Sequence, residues 1–107
     1  MNLRRLCLLS LLLLSLVAQA QRRVELSGRV IDAEGAPMDL VTVAVPAASA
    51  GTFTNEKGEY TLRFTAADTV EVIFSYIGYH RVSRKLVDPE GKVSLTVRMY
   101  NNDRTLN

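Results

Sequence analysis

Thr52-Phe53-Thr54-Asn55-Glu56-Lys57-Gly58-Glu59-Tyr60-Thr61-Leu62-Arg63-Phe64 is the stretch on which the fold class turns. From Tyr60 onward apolar and polar residues alternate singly, with Tyr60, Leu62 and Phe64 set against Thr61 and Arg63. Successive side chains of a strand point to opposite faces, so this alternation predicts a strand with one buried and one wet face. Asn55-Glu56-Lys57-Gly58 has the length and composition of a four-residue hairpin connection back to Thr52-Phe53-Thr54.

The same period extends outward in both directions. Upstream, Val41, Val43 and Val45 alternate with Thr42 and Ala44 and stop at Pro46, which has no N–H to give a ladder; Ala47 to Gly51 reads as a small-residue loop. Earlier still, Val24, Leu26 and Val30 share a face with Gly28, and Asp32-Ala33-Glu34-Gly35 turns the chain. Downstream, Val70, Val72 and Phe74 alternate with Glu71, Ile73 and Ser75 and lead into Tyr76-Ile77-Gly78-Tyr79, whose glycine signals a bulge or a close backbone approach. Val82 and Leu86 belong to a further strand, Asp88-Pro89-Glu90-Gly91 is a turn, and Val93, Leu95, Val97 and Met99 close the pattern. About seven short strands with regular turn signals predict an all-β, seven-stranded antiparallel two-sheet sandwich over residues 21–99, with Tyr60, Phe64 and Phe74 in its core. The polar residues from Tyr100 to Asn107 read as a tail.

The first twenty residues are of another kind. Arg4 and Arg5 precede an apolar run from Leu6 to Val17 broken only by serines, which closes on Ala18-Gln19-Ala20. That order predicts a cleavable secretory signal over residues 1–20, with Gln21 first in the exported chain. A membrane anchor is the rival reading, but Leu6 to Ala20 covers about 22 Å as a helix, against about 30 Å of hydrocarbon. The chain is therefore expected to be exported.

Removing the signal alters the composition in two ways. The 13 Lys and Arg less Arg4 and Arg5 leave 11, against 11 Asp and Glu, so the exported part is formally neutral and gives no basis for nucleic-acid binding. Cys7, the only cysteine, leaves with the signal, so no disulfide is expected and stability must come from packing.

Chemistry-bearing clusters are sparse. A zinc peptidase centre needs at least two histidines and a carboxylate as ligands, whereas His80 is the single histidine; a Ser/His/Asp set would also depend on it, with no nucleophile elbow nearby. Asn55, Glu56, Asp88 and Glu90 match no oxygen-ligand loop and suit turns better, so neither cofactor nor metal is expected. Arg81, Arg84 and Lys85 fall on both faces of a strand, which fits a solvated edge that resists strand addition. Tyr76 and Tyr79 are the candidate binding residues, as an exposed aromatic pair.

Leu26-Ser27-Gly28-Arg29-Val30 with Asp32, Gly35 and Pro37, then Val41-Thr42-Val43, Gly51-Thr52, Thr54, Gly58 and Tyr60, and above all Phe74-Ser75-Tyr76-Ile77-Gly78-Tyr79, resemble the carboxypeptidase-like regulatory domain. More narrowly, they resemble the copy at the periplasmic N-terminus of TonB-dependent outer-membrane transporters of Bacteroidetes. The resemblance implies a transthyretin-like sandwich, no catalysis, and partners among the periplasmic or outer-membrane proteins of a transport system. It leaves open a transporter fragment or a free-standing exported module that binds carbohydrate or peptide. Ala36 and Met38-Asp39-Leu40 depart from the family's usual approach to the second strand, as loop variation would.

Overall fold

Alternating apolar residues become strands here because each strand buries one row of side chains and wets the other; β4 shows it in full, every second residue from Tyr60 to Ala66 being buried. A computed structural model describes residues 2–18 and 21–102. Helix α1 (Leu3–Ala18) is followed by β1 (Arg22–Ile31), β2 (Thr42–Val45), a 3₁₀ turn (Pro46–Ala48), β3 (Ala50–Phe53), β4 (Glu59–Ala66), β5 (Val70–Ser75), β6 (Val82–Leu86), β7 (Gly91–Ser94) and β8 (Val97–Arg98). Among the described residues no helix is long and apolar enough to cross a membrane. The expected cleavage point at Ala20 lies outside the described residues, as do residues 103–107 of the expected tail.

The strands form two sheets. In the first, β1 is central, with β4 antiparallel on one side and β7 and β8 on the other; in the second the order is β3-β2-β5-β6, antiparallel throughout. Between them lie Leu26, Val30, Val43, Val45, Val72, Phe74, Val97 and Met99, all fully buried, together with Tyr60 and Phe64. The three aromatics expected inside are inside, and the Tyr60 ring meets Phe74 edge to face at 5.6 Å.

Three expectations need correction. Eight strands are present among the described residues, not seven, because the last apolar run is divided into β7 and β8. The division falls opposite Gly28, where the Leu95 backbone bulges against β1: an added Cβ at Gly28 would overlap the Leu95 carbonyl oxygen and lie 2.7 Å from its carbonyl carbon. Nor is the sandwich wholly antiparallel, for β7 and β8 both run parallel to β1. The turn after β6 crosses between sheets at the end where β1 begins, so β7 sets off beside β1 in the same direction.

The third correction concerns the opening stretch. β3 pairs with β2 and β4 pairs with β1, so Asn55 to Gly58 joins opposite sheets and no hairpin forms. The turn chemistry itself is as expected: Asn55 Oδ1 accepts the N–H groups of Lys57 and Glu59, both at 2.9 Å, and Asn55 N–H donates to Glu59 C=O. Thr54 sends the chain inward. Its hydroxyl, buried, donates to Met38 C=O at 2.6 Å and accepts Val41 N–H at 2.9 Å, which ties the arch to the loop before β2.

Tyr60 stands opposite Gly28 in the β1–β4 register, and its hydroxyl donates to Leu95 C=O at 2.7 Å. Burial disfavours the tyrosinate and pushes the Tyr60 pKa up to about 12 from an ordinary 10. Above pH 10 the unfolded chain loses this proton while the folded chain keeps it, so the contribution is whole below pH 10 and is lost as pH rises to about 12. Base titration of the folded fraction should therefore fall through that window. Tyr60→Phe should cost about 1 kcal/mol at neutral pH, through the unpaired Leu95 carbonyl, and should flatten that part of the titration.

Candidate functional site

The two poles of the sandwich differ in what they expose. One pole carries the start of β1, the 3₁₀ turn after β2, and the turns after β4 and β6. The other gathers the loop between β1 and β2, the arch Asn55 to Gly58, the turn Tyr76 to Tyr79, and the chain after β8. Among the described residues outside α1 the exposed large apolar side chains are Leu40, Phe53, Tyr76, Ile77, Val87 and Tyr100. All but Val87 lie at this second pole.

Register places them there. Thr42 faces Phe53 on one side and Ser75 on the other, so the end of β3, the start of β2 and the end of β5 stop together, with Leu40 and Tyr76 just beyond. The turn is closed by Tyr79 N–H donating to Tyr76 C=O at 3.0 Å. It is locked to the C-terminal side of the domain, where His80 N–H donates to Tyr100 C=O, Asn102 N–H donates to Gly78 C=O, both at 2.9 Å, and Tyr79 bridges Asn101. Pairing thus carries the chain past Met99 to Asn102, and it leaves the described structure beside the turn.

Within that turn the two candidate tyrosines have different surroundings. Tyr76 is exposed, whereas Tyr79 is half-buried and packs against the core. Their rings meet edge to face at 5.6 Å and 68°, so they offer one aromatic face and an edge, with no flat double platform. Ile77 at the tip is 91% exposed, and sequence reasoning passed over it. The signal for it was its position between an aromatic and a glycine outside any alternating run. Leu40 was also missed as a surface residue, and Phe53 is exposed beside the buried Thr54.

The remaining candidates fall apart from one another. His80 is exposed on the far side of the turn, and Arg81, Arg84 and Lys85 are exposed on or just before β6, the edge strand of the second sheet. Lys85 faces Glu71, and Ser83 Oγ donates to Glu71 Oε2. Asn55 and Glu56 sit in the arch, while Asp88 and Glu90 sit in the turn before β7 at the opposite pole, Glu90 lying 3.8 Å from Arg22. Among the described residues no group of His, Cys, Asp and Glu could hold a metal ion. A shallow recess of about 520 Å³ on the first sheet, lined by Arg23, Glu25, Arg63 and Lys92, is crossed by the Arg63–Glu25 ion pair at 2.8 Å. It presents charges of both signs.

The sequence pattern of the CarboxypepD_reg-like domain matches residues 26–107, which takes in β1 from Leu26 onward, both sheets and the apolar pole. The chain belongs to the CarboxypepD_reg-like domain family. Domains of this family are regulatory and noncatalytic, and its match bears out the resemblance carried by Phe74-Ser75-Tyr76-Ile77-Gly78-Tyr79. No curated protein matches the chain. Among solved structures, this CarboxypepD_reg-like domain is similar to a chain of a type II cohesin–X-dockerin complex from Acetivibrio cellulolyticus (TM-score 0.59, 15% identity, 78% of this chain and 62% of that one). It is also similar to 3-chlorocatechol 1,2-dioxygenase from Rhodococcus opacus 1CP (TM-score 0.57, 14% identity, 74% and 59%) and to catechol 1,2-dioxygenase from Pseudomonas arvilla C-1 (0.55, 12%, 75% and 52%). At such identities the shared property is the sandwich, and the domain spans between half and two-thirds of each of those chains.

Proposed function

We propose that this CarboxypepD_reg-like domain is a noncatalytic interaction domain of the periplasm, acting as the N-terminal extension, or a fragment, of a TonB-dependent outer-membrane nutrient transporter. Its apolar pole is the face that engages the transport machinery. The observation that carries this reading is the gathering of Leu40, Phe53, Tyr76, Ile77 and Tyr100 at the pole where Asn102 leaves the domain. Exposed apolar side chains gathered at one end of a small domain suit a place where another molecule sits. The opposite pole, where β1 begins, exposes only Val87 among large apolar side chains described outside α1.

The test is Ile77→Asp together with Tyr100→Ser in the full chain, followed through outer-membrane fractionation and chemical cross-linking to the periplasmic energising protein. Both side chains are exposed, so thermal stability should move by less than about 0.5 kcal/mol. Association should drop at least tenfold. Unchanged association of a folded double variant would remove the pole from the mechanism. Tyr76 shifts on titration with a glycan set, in place of any protein partner, would favour the carbohydrate-binding alternative.

A further inference from the structure

Sheet edges present rows of backbone N–H and C=O groups to solvent, and proteins guard them with charge, proline, bulges or irregular ends. Three of the four edges here are guarded. β6 carries Arg84 and Lys85, β4 carries Glu59 and Arg63, and the β7/β8 edge is broken at Leu95 and carries Lys92 and Arg98. The fourth edge, β3, reads Ala50-Gly51-Thr52-Phe53, with no charge and no proline.

The register shows which groups this edge offers. Thr54 N–H donates to Val41 C=O at 3.0 Å, and Thr52 pairs with Val43 in the same ladder. In an antiparallel ladder the hydrogen-bonded residues alternate, so Thr52 turns its N–H and C=O toward β2, while Gly51 and Phe53 turn theirs to the open side. Both residues are exposed and share the outer face of the sheet. A recess of about 310 Å³ lined by Phe53, Asn55, Glu59, Tyr60 and Thr61 lies between the end of β3 and the start of β4.

We infer that β3 is a self-pairing edge, joining two copies of this chain through an antiparallel β3–β3 ladder on a dyad through Thr52. Spacing makes the strand its own complement. With the dyad at Thr52, Gly51 of one copy lies opposite Phe53 of the other, and the two open residues of each strand become two hydrogen-bonded pairs. The exposed Phe53 ring then covers the bare backbone of the facing glycine, an arrangement that stabilises glycine in sheets. No like charges meet across the dyad, because β3 has none. The result is a continuous eight-stranded sheet with an isologous interface. The contact is short, so the association is weak and concentration-dependent. It shares Phe53 with the apolar pole but leaves Ile77 and Tyr100 free, and it does not depend on the transporter reading.

Sedimentation velocity on the chain recovered after export, from about 1 µM to about 500 µM, should show one chain mass passing to two. Over the same range amide exchange at Gly51 and Phe53 should slow about tenfold, and that at Thr52, already bonded within the sheet, should not change. Gly51→Pro removes an outward N–H without touching the β2–β3 ladder, and should hold the chain monomeric throughout with its thermal transition retained. If that variant fails to fold, Phe53→Lys brings two cations to the dyad and should do the same. Ile77→Asp should dimerise like the parent. A monomer at every concentration, a dimer that survives both edge variants, or a dimer abolished by Ile77→Asp alone would each overturn the proposal.

Discussion

Gly28→Ala should leave the domain without a cooperative thermal transition, or lower its stability by about 4 kcal/mol or more, most of what a domain of this size possesses. The cause is backbone against backbone. A methyl group at Gly28 would occupy the space of the Leu95 carbonyl, and 3.1 Å away lies the Leu95 nitrogen, whose N–H donates to Ser27 C=O at 2.8 Å. A flexible side chain could swing aside; a carbonyl held from two directions cannot. Leu95 C=O also accepts the Tyr60 hydroxyl, so moving it breaks the Ser27 bond, the Tyr60 bond and the seam between β7 and β8 together. Gly91→Ala is the control. An added Cβ there meets nothing within 4 Å, and a φ of +72° should cost only about 1 kcal/mol. Circular dichroism melts of the two variants separate a steric seam from a general intolerance of glycine replacement, and equal losses would refute the account.

Thr54→Val should cost about 3 kcal/mol in urea denaturation, with an unchanged dependence on denaturant. Shape is nearly conserved, but the valine cannot donate to Met38 C=O or accept Val41 N–H, and both groups stay buried away from water. Each orphaned group costs about 1–3 kcal/mol, which exceeds the small gain from burying a methyl in place of a hydroxyl. Thr54→Ser keeps both hydrogen bonds and should lose only about 1 kcal/mol. If Val and Ser behave alike, the hydroxyl is not what holds the arch to the loop before β2.

Burial was the legible part of this fold. Val24, Leu26, Tyr60, Leu62, Val72 and Phe74 fall on the inner faces because one side of every strand must be dry, and single alternation reports that directly. Partner and direction were not legible. The Asn55 side chain caps the same turn whether the next strand folds back or crosses over, so the arch reads as a hairpin. Val93, Leu95, Val97 and Met99 keep their alternation straight through the break between β7 and β8; its one trace is Gly28, a residue on another strand. At the pole, Tyr76 and Tyr79 were picked out as aromatics near a glycine, but only the register shows that Tyr79 braces the turn from inside while Ile77 stands out from it. Leu40 escaped notice because its exposure depends on where β2 and β3 stop together.

The parallel placement of β7 and β8 along β1 joins the first strand of the sandwich to the last two described. Val24 to Ser27 obtain their second neighbour only from Gly91 to Ser94, and Val30 and Ile31 only from Val97 and Arg98. A polypeptide threading through a narrow channel from its N-terminus delivers β1 well before that neighbour, with some sixty residues in transit between them. The intervening loop must close before the central strand of the first sheet is flanked on both sides, and such distant pairings come late in folding. If the domain is exported as proposed, it stays pliable during passage and its first sheet closes only after residue 98 has cleared.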